Sequence, residues 1–195
     1  MNKRDRDAEF LFEVAFLKKI YRTGYPYLGS GKETVASHSF GVAFISWMLA
    51  LIYEKNEKKQ VDKEKMFKMA LLHDLPETRT GDFNAVNKIY NKTDEKRALK
   101  DALLNTILEK EAYKIYEEYR ELNTIEAQLV HDADTIDLLI QLKEQLDLNN
   151  PYADKWIKFA KKRLITPWGK ELAERVLKTN WCAWWFIDLV GEEPN

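Results

Sequence analysis

An all-α fold in one domain is the expectation for this 195-residue chain. Apolar residues recur at three- and four-residue steps over most of its length, and no stretch alternates apolar and polar residues as a half-buried strand does. Gly and Pro fall between the periodic segments, where they end helices. A hydrophobic fraction of 45% with 12% aromatic residues is enough for a substantial core and argues against disorder. With 31 Lys and Arg against 32 Asp and Glu, the formal net charge is −1, so no bulk field points to a nucleic acid or a membrane as partner. The sole cysteine, Cys182, cannot form an internal disulfide, which suits a reducing cytoplasm. The N-terminal Met1-Asn2-Lys3-Arg4-Asp5-Arg6-Asp7 has no apolar core, and no run is expected to approach the roughly 18 apolar residues of a membrane span.

The elements follow in order. Phe10, Leu11, Val14, Leu17 and Ile20 mark an amphipathic helix that Gly24 and Pro26 end, and residues 21–33 are expected to be loop. Thr34 or Ser37 is the expected N-cap of the next helix; it holds His38 in its first turn and is apolar almost all round from Val42 to Ile52, as a buried core helix should be. Asp62 caps a helix carrying Met66, Met69, Ala70 and His73, and residues 82–93 are expected to be irregular. Thr93 or Asp94 caps a helix through Ile107, residues 109–121 form a surface helix, and Asn123 or Thr124 caps a long helix from Ile125 to about Leu146. After Asn149-Asn150-Pro151 come a helix around Trp156 to Leu164 and one or two more beyond Pro167.

Chemistry concentrates in Ala70-Leu71-Leu72-His73-Asp74-Leu75-Pro76-Glu77-Thr78-Arg79-Thr80-Gly81-Asp82, where an apolar helix ends in an adjacent His-Asp pair followed by further carboxylates. His38, at the start of the preceding helix, comes near that pair if the two helices pack antiparallel. Imidazole and carboxylate together are the ligand set of divalent transition metals, and helices can hold them convergent. A further carboxylate is expected from the Leu129–Asp137 run. At about 100° per residue Asp132 and Asp134 point about 200° apart, so only one can enter a shared pocket, and periodicity does not choose between them. Asp137 shares a face with Asp134 and is either a supporting or a surface group.

His38, then His73-Asp74, then a distant helical Asp resembles the signature of HD-domain metal-dependent phosphohydrolases. The resemblance extends to the branch containing the 5′-deoxynucleotidases through Arg22, Glu33-Thr34-Val35-Ala36-Ser37-His38-Ser39, Leu72-His73-Asp74-Leu75-Pro76-Glu77, Thr80-Gly81-Asp82 and Leu129-Val130-x-x-Ala133-Asp134. It implies one HD domain over 1–195, with its motifs in about 10–146 and the helices of 152–190 packed on them. It implies His38, His73, Asp74 and Asp134 as ligands of one divalent ion (Mn, Co, Ni, Zn or Fe), Glu77 as the catalytic residue, Arg22 as a phosphate ligand and Asp82 as a contact to the sugar. The pattern departs at Thr23, where the deoxynucleotidases carry Trp, so the sugar preference stays open.

The function so implied is removal of phosphate from nucleoside 5′-monophosphates by attack of a water activated on the ion. A phosphodiesterase or nucleoside polyphosphate hydrolase on the same ligands, or a nucleotide-binding regulatory module without turnover, are the alternatives. The partner expected is a small nucleotide, with no nucleic acid and no membrane, and a homodimer is favoured. Trp181, Trp184 and Trp185 share one helix face suited to core or self-association. Lys158, Lys161, Lys162 and Arg163 could favour an anion but read most simply as a solvated face, and His131 as a supporting or partly buried residue.

Overall fold

The computed structural model describes residues 5–190, with side chains through 186, so Met1–Arg4 and residues 191–195 lie outside the described residues. The described residues are helical. The only pairing of extended backbone among them is an isolated antiparallel bridge between Tyr21 and Thr34.

Helix α1 (Arg6–Phe16) begins a turn earlier than its apolar stripe because Asp5 accepts a hydrogen bond from the Ala8 N–H at 3.1 Å. The loop after it is not wholly irregular. It holds a short α2 (Tyr25–Leu28), and the Tyr21–Thr34 bridge, with Arg22 N–H donating to the Glu33 carbonyl at 3.0 Å, ties its two ends together. Thr34 then caps α3 (Val35–Glu57), Asp62 caps α4 (Lys63–Leu72), and α5 (Glu77–Thr80) follows the His-Asp pair. Residues 82–93, expected to be irregular, contain α6 (Ala85–Tyr90), started by Asn84, whose side chain accepts from the Val86 and Asn87 N–H groups. Asp94 caps α7 (Glu95–Leu103), which stops short of Ile107; α8 (Glu109–Glu121) precedes the long α9 (Ile125–Asp147), capped by Thr124. The chain closes with α10 (Tyr152–Ala160), a 3-10 turn (Lys161–Arg163), α11 (Pro167–Lys178) and α12 (Ala183–Val190).

The main core lies between α3, α4 and α9, with Val42, Leu49, Met66, Met69, Leu129, Val130, Ile136 and Leu139 buried in one cluster, which α10 and α11 extend by packing against α9. A smaller cluster joins Phe10, Leu17, Val35, Leu75, Leu99 and Tyr116 and seats α1 and α7 beside the His-Asp turn. A bidentate pair from Arg79 to Glu13, at 2.5 and 3.1 Å, fastens that turn to α1.

The structure corrects the expectation for α3. Its apolar residues are not all buried: Val42, Ile45, Leu49 and Tyr53 face the core, whereas Phe40, Phe44, Trp47, Met48 and Leu51 face outward. The reason is that only one side of the helix meets α4 and α9. By length and composition α3 is also apolar enough to cross a membrane, contrary to the expectation from the sequence. Its inner face nevertheless packs in the protein core and carries the fully buried His38. Of the C-terminal aromatics, Trp184 is 71% exposed, while Trp181 and Trp185 pair edge to face.

Candidate metal centre and its cavities

His38 sits in the first turn of α3 and His73 at the end of α4, and the packing of these helices brings their Nε2 atoms to 3.3 Å. Asp74 Oδ2 lies 3.2 Å from His73 Nε2 and 3.6 Å from His38 Nε2. From the middle of α9, Asp134 brings Oδ1 to 3.2 Å from His38 Nε2. Three segments far apart in sequence thus deliver two imidazoles and two carboxylates to one point.

The tautomers are set from behind. His38 Nδ1–H donates to Asp137 Oδ2 at 2.7 Å, and His73 Nδ1–H donates to the Ala70 carbonyl at 2.7 Å. Both partners accept only, so each neutral imidazole turns an Nε2 lone pair toward the carboxylates. With both imidazoles neutral, two nitrogen lone pairs and two carboxylates make the donor set that a divalent cation needs, and ligand atoms of His38, His73 and Asp74 all lie within 4.8 Å of one another. The same crowding governs protonation. Burial and Arg22 push His38 down, but hydrogen bonds to Asp134 and Asp137 override them and raise it to about 9. Burial opposes ionisation of Asp134, yet its contacts with His38 and Arg163 hold it well below the usual carboxylate range. Protons and a guanidinium supply here the positive charge that these carboxylates demand.

Asp137 approaches His38 across a close contact between α3 and α9. A Cβ built on Gly41 would overlap the Asp137 carboxylate, so only glycine at this position lets the two helices meet closely enough for the Asp137–His38 bond. Asp137 is therefore a buried support for His38 and not a surface group.

A cavity of about 790 Å³ opens from this centre and is lined by Asp74, Asp134, Arg22, Glu77 and Asp82 together with apolar residues of α2, α9 and α10, among them Leu28, Leu142 and Trp156. Arg22 is 17% exposed, and its Nη1 is buried with no hydrogen-bond partner. Glu33 steadies it from behind, with Oε2 at 3.9 Å from Arg22 Nε while accepting from the Tyr25 hydroxyl at 3.0 Å. Burial disfavours the charge on Arg22, but Asp134, Asp74, Glu33 and Asp82 hold it in the charged state. Glu77 behaves oppositely: burial, then Asp74 and Asp82, push its carboxyl up to about 10, and its Oε2 is buried without a partner.

Asp82 is engaged already. Both the Thr23 N–H and the Thr23 hydroxyl donate to its Oδ2, the latter at 2.8 Å, and Asn84 donates to the Thr23 carbonyl at 3.0 Å. Thr23 thus holds the Asp82 turn at the cavity rim.

Two residues near the centre make contacts that no local pattern in the sequence marks. Asp132 faces away from the centre, fully buried, and accepts from residues 165 and 166. Arg163 is not simply a solvated cation, because its Nη2 donates to Asp134 Oδ2 at 2.6 Å. Nothing local in the sequence marks this contact, since it depends on how the 3-10 turn after α10 returns to α9.

An all-α bundle with a His…His-Asp…Asp cluster defines the class: the chain belongs to the HD-domain family, which matches residues 14–175. Among curated relatives, it is 33% identical over 151 residues to the 5′-deoxynucleotidase HDDC2 of Danio rerio, covering 74% of this chain and 72% of that protein. It is 34% identical over 148 residues to the 5′-deoxynucleotidase HDDC2 of Dictyostelium discoideum, covering 70% and 75%. Among solved structures, the PH0347 protein of Pyrococcus horikoshii superposes with a TM-score of 0.73 at 32% identity, covering 88% of this chain and 98% of that one.

Proposed function

We propose that this protein is a metal-dependent phosphohydrolase that removes phosphate from nucleoside 5′-monophosphates. The observation that carries this reading is one cavity whose wall holds Asp74 and Asp134 of the His-Asp cluster together with Arg22 and Glu77, whose Nη1 and Oε2 are buried without hydrogen-bond partners. Its size and partly apolar lining suit a nucleoside, and the relatives named 5′-deoxynucleotidase support the substrate class.

In this reading His38, His73, Asp74 and Asp134 hold the ion. When bound, a divalent cation polarises the phosphoryl group and brings a water toward ionisation at neutral pH. Arg22 binds phosphate oxygens through its unpartnered Nη1, with Glu33 fixing the orientation of the guanidinium. Water oxygen bonds to phosphorus as the P–O5′ bond breaks, Glu77 gives its proton to the departing O5′, and the proton lost by water restores Glu77. Asp82, held through Oδ2 by Thr23, contacts the sugar hydroxyls from the cavity rim.

Phosphate release from a panel of ribo- and deoxyribonucleoside 5′-monophosphates, assayed with Mn, Co, Ni, Zn and Mg, tests the proposal. Release from monophosphates only when an ion is added is the expected result. Products solely from phosphodiesters or triphosphates, or none at all, overturn it. Glu77→Gln is expected to lower kcat by about 10²- to 10⁴-fold with little change in KM or in bound metal, because the amide keeps the shape and loses the transferable proton.

A homodimer joined through the outer face of α3 accompanies this reading. Phe40, Phe44, Trp47 and Leu51 recur at steps of four, three and four, the spacing of a helix-pairing seam, and helix 35–57 bears no Lys, Arg, Asp or Glu before Glu54. Ring centroids 5.7 to 6.3 Å apart run from Phe40 through Phe44 and Trp47 to Phe67 of α4, making a continuous patch that a second copy can cover isologously. Sedimentation velocity is expected to show a dimer and, for Phe44→Glu, a monomer of unchanged helicity; a monomeric parent protein at micromolar concentration overturns this. The absence of any second cysteine suits the reducing cytoplasm in which nucleotide monophosphates turn over.

A further inference from the structure

A second chamber, of about 360 Å³, reaches the same centre. It shares Asp74, Glu77, Lys88, Asp134 and Arg163 with the larger cavity, but the rest of its wall comes from other elements. The larger cavity is completed by α2 and α10, whereas the smaller is completed by Tyr119 and Arg120 of α8, His131 of α9 and Glu95 of α7. Their chemistry differs accordingly. Leu28, Leu142 and Trp156 suit a nucleoside on one side; on the other Arg120 joins Lys88 and Arg163, which both chambers share, around a small polar space that Asp74, Glu77, Glu95 and Asp134 also line.

Those cations are incompletely neutralised. Arg120 donates to Glu95 at 2.9 Å and Arg163 to Asp134 at 2.6 Å, each through a single nitrogen, and Lys88 has no ion-pair partner among the described residues. A guanidinium has five N–H donors, so both arginines retain capacity for another oxyanion. His131 Nδ1 is also buried without a hydrogen-bond partner.

We propose that the smaller chamber is a binding site for inorganic phosphate, the side from which water reaches the phosphoryl group and to which the released phosphate moves. The inference rests on the hydrolase reading above. In-line displacement places the incoming water opposite the leaving O5′. The two chambers adjoin at Asp74, Glu77, Lys88, Asp134 and Arg163, so with the nucleoside in the larger cavity a phosphoryl group at the centre borders the smaller chamber, which we take as the side of the incoming water. When the water–phosphorus bond has formed and P–O5′ has broken, the nucleoside takes the proton on O5′ and the phosphate is left facing Lys88, Arg120 and Arg163.

The test uses Arg120 and Glu95, neither of which is part of the catalytic set. Calorimetric titration of the metal-loaded protein with inorganic phosphate reads binding without turnover, and nucleoside formation followed by chromatography reads inhibition by phosphate. Arg120→Gln is expected to weaken phosphate by about fivefold or more, from loss of a charge-assisted hydrogen bond. Glu95→Gln, which frees Arg120, is expected to strengthen it, while KM for the nucleotide stays within about twofold in both variants. A structural role for the Arg120–Glu95 pair moves both variants in the same direction, and that result, or no change in either, overturns the proposal. Phosphate binding with these opposite shifts in a protein that releases no nucleoside instead removes the hydrolase reading and leaves an oxyanion site.

Discussion

Replacing His73 with alanine is expected to abolish bound divalent metal and to reduce phosphate release by at least about three orders of magnitude, equivalent to about 4 kcal/mol of transition-state stabilisation. The side chain supplies one of two imidazole nitrogens at the centre, 3.3 Å from the other and 3.2 Å from Asp74 Oδ2. Asp74→Ala is expected to match it, because each of the two residues supplies one of the clustered ligand atoms. The folded state survives by comparison: His73 is bonded backward only to the Ala70 carbonyl within its own helix, and the core of α3, α4 and α9 packs through other residues. Elemental analysis of the purified variant, with circular dichroism as the fold control, checks both halves. Full metal content with full activity in His73→Ala removes the proposed centre.

Much of that centre was legible because it lies on local signals. A helix capped at Asp62 and stopped before Pro76 must present His73-Asp74 at its end, and a cap at Thr34 puts His38 in a first turn. Antiparallel packing then joins them. Periodicity alone left Asp132 and Asp134 open, since α9 is apolar on several sides; the resemblance implied Asp134, and it is Asp134 that lies 3.2 Å from His38. The illegible parts are those that depend on tertiary path. Arg163 follows a helix whose exposed Lys residues hide it in a solvated pattern, and its contact with Asp134 exists only because the chain turns back there. The outward apolar side of α3 was equally hidden, because a helix apolar all round looks the same whether neighbours cover one face or both. Short α2 and α6 have no room for a period; only their caps and turns define them.

Asp132 explains how the chain turns back, and its loss carries the largest expected effect on stability. Its carboxylate is fully buried and accepts three hydrogen bonds: from the Ile165 N–H at 2.7 Å, the Thr166 N–H at 2.8 Å and the Thr166 hydroxyl at 2.6 Å. Thr166 in turn accepts from the Gly169 N–H at 3.0 Å as the N-cap of α11, so one carboxylate fastens the segment after Arg163 and the start of the next helix to α9. Gly169 permits this closeness, because a Cβ there would overlap the Asp132 carboxylate. Asp132→Ala leaves two backbone N–H groups and a hydroxyl without their acceptor in a buried place, a loss of about 3 kcal/mol. For a domain of this size that lowers the midpoint of thermal unfolding by about 6 to 12 °C. Asp132→Asn keeps the shape and one acceptor oxygen, so its decrease is expected to be roughly half as large. Calorimetry on the three proteins decides the matter: an alanine variant that melts with the parent protein shows that the 165–166 segment is held by something other than this carboxylate.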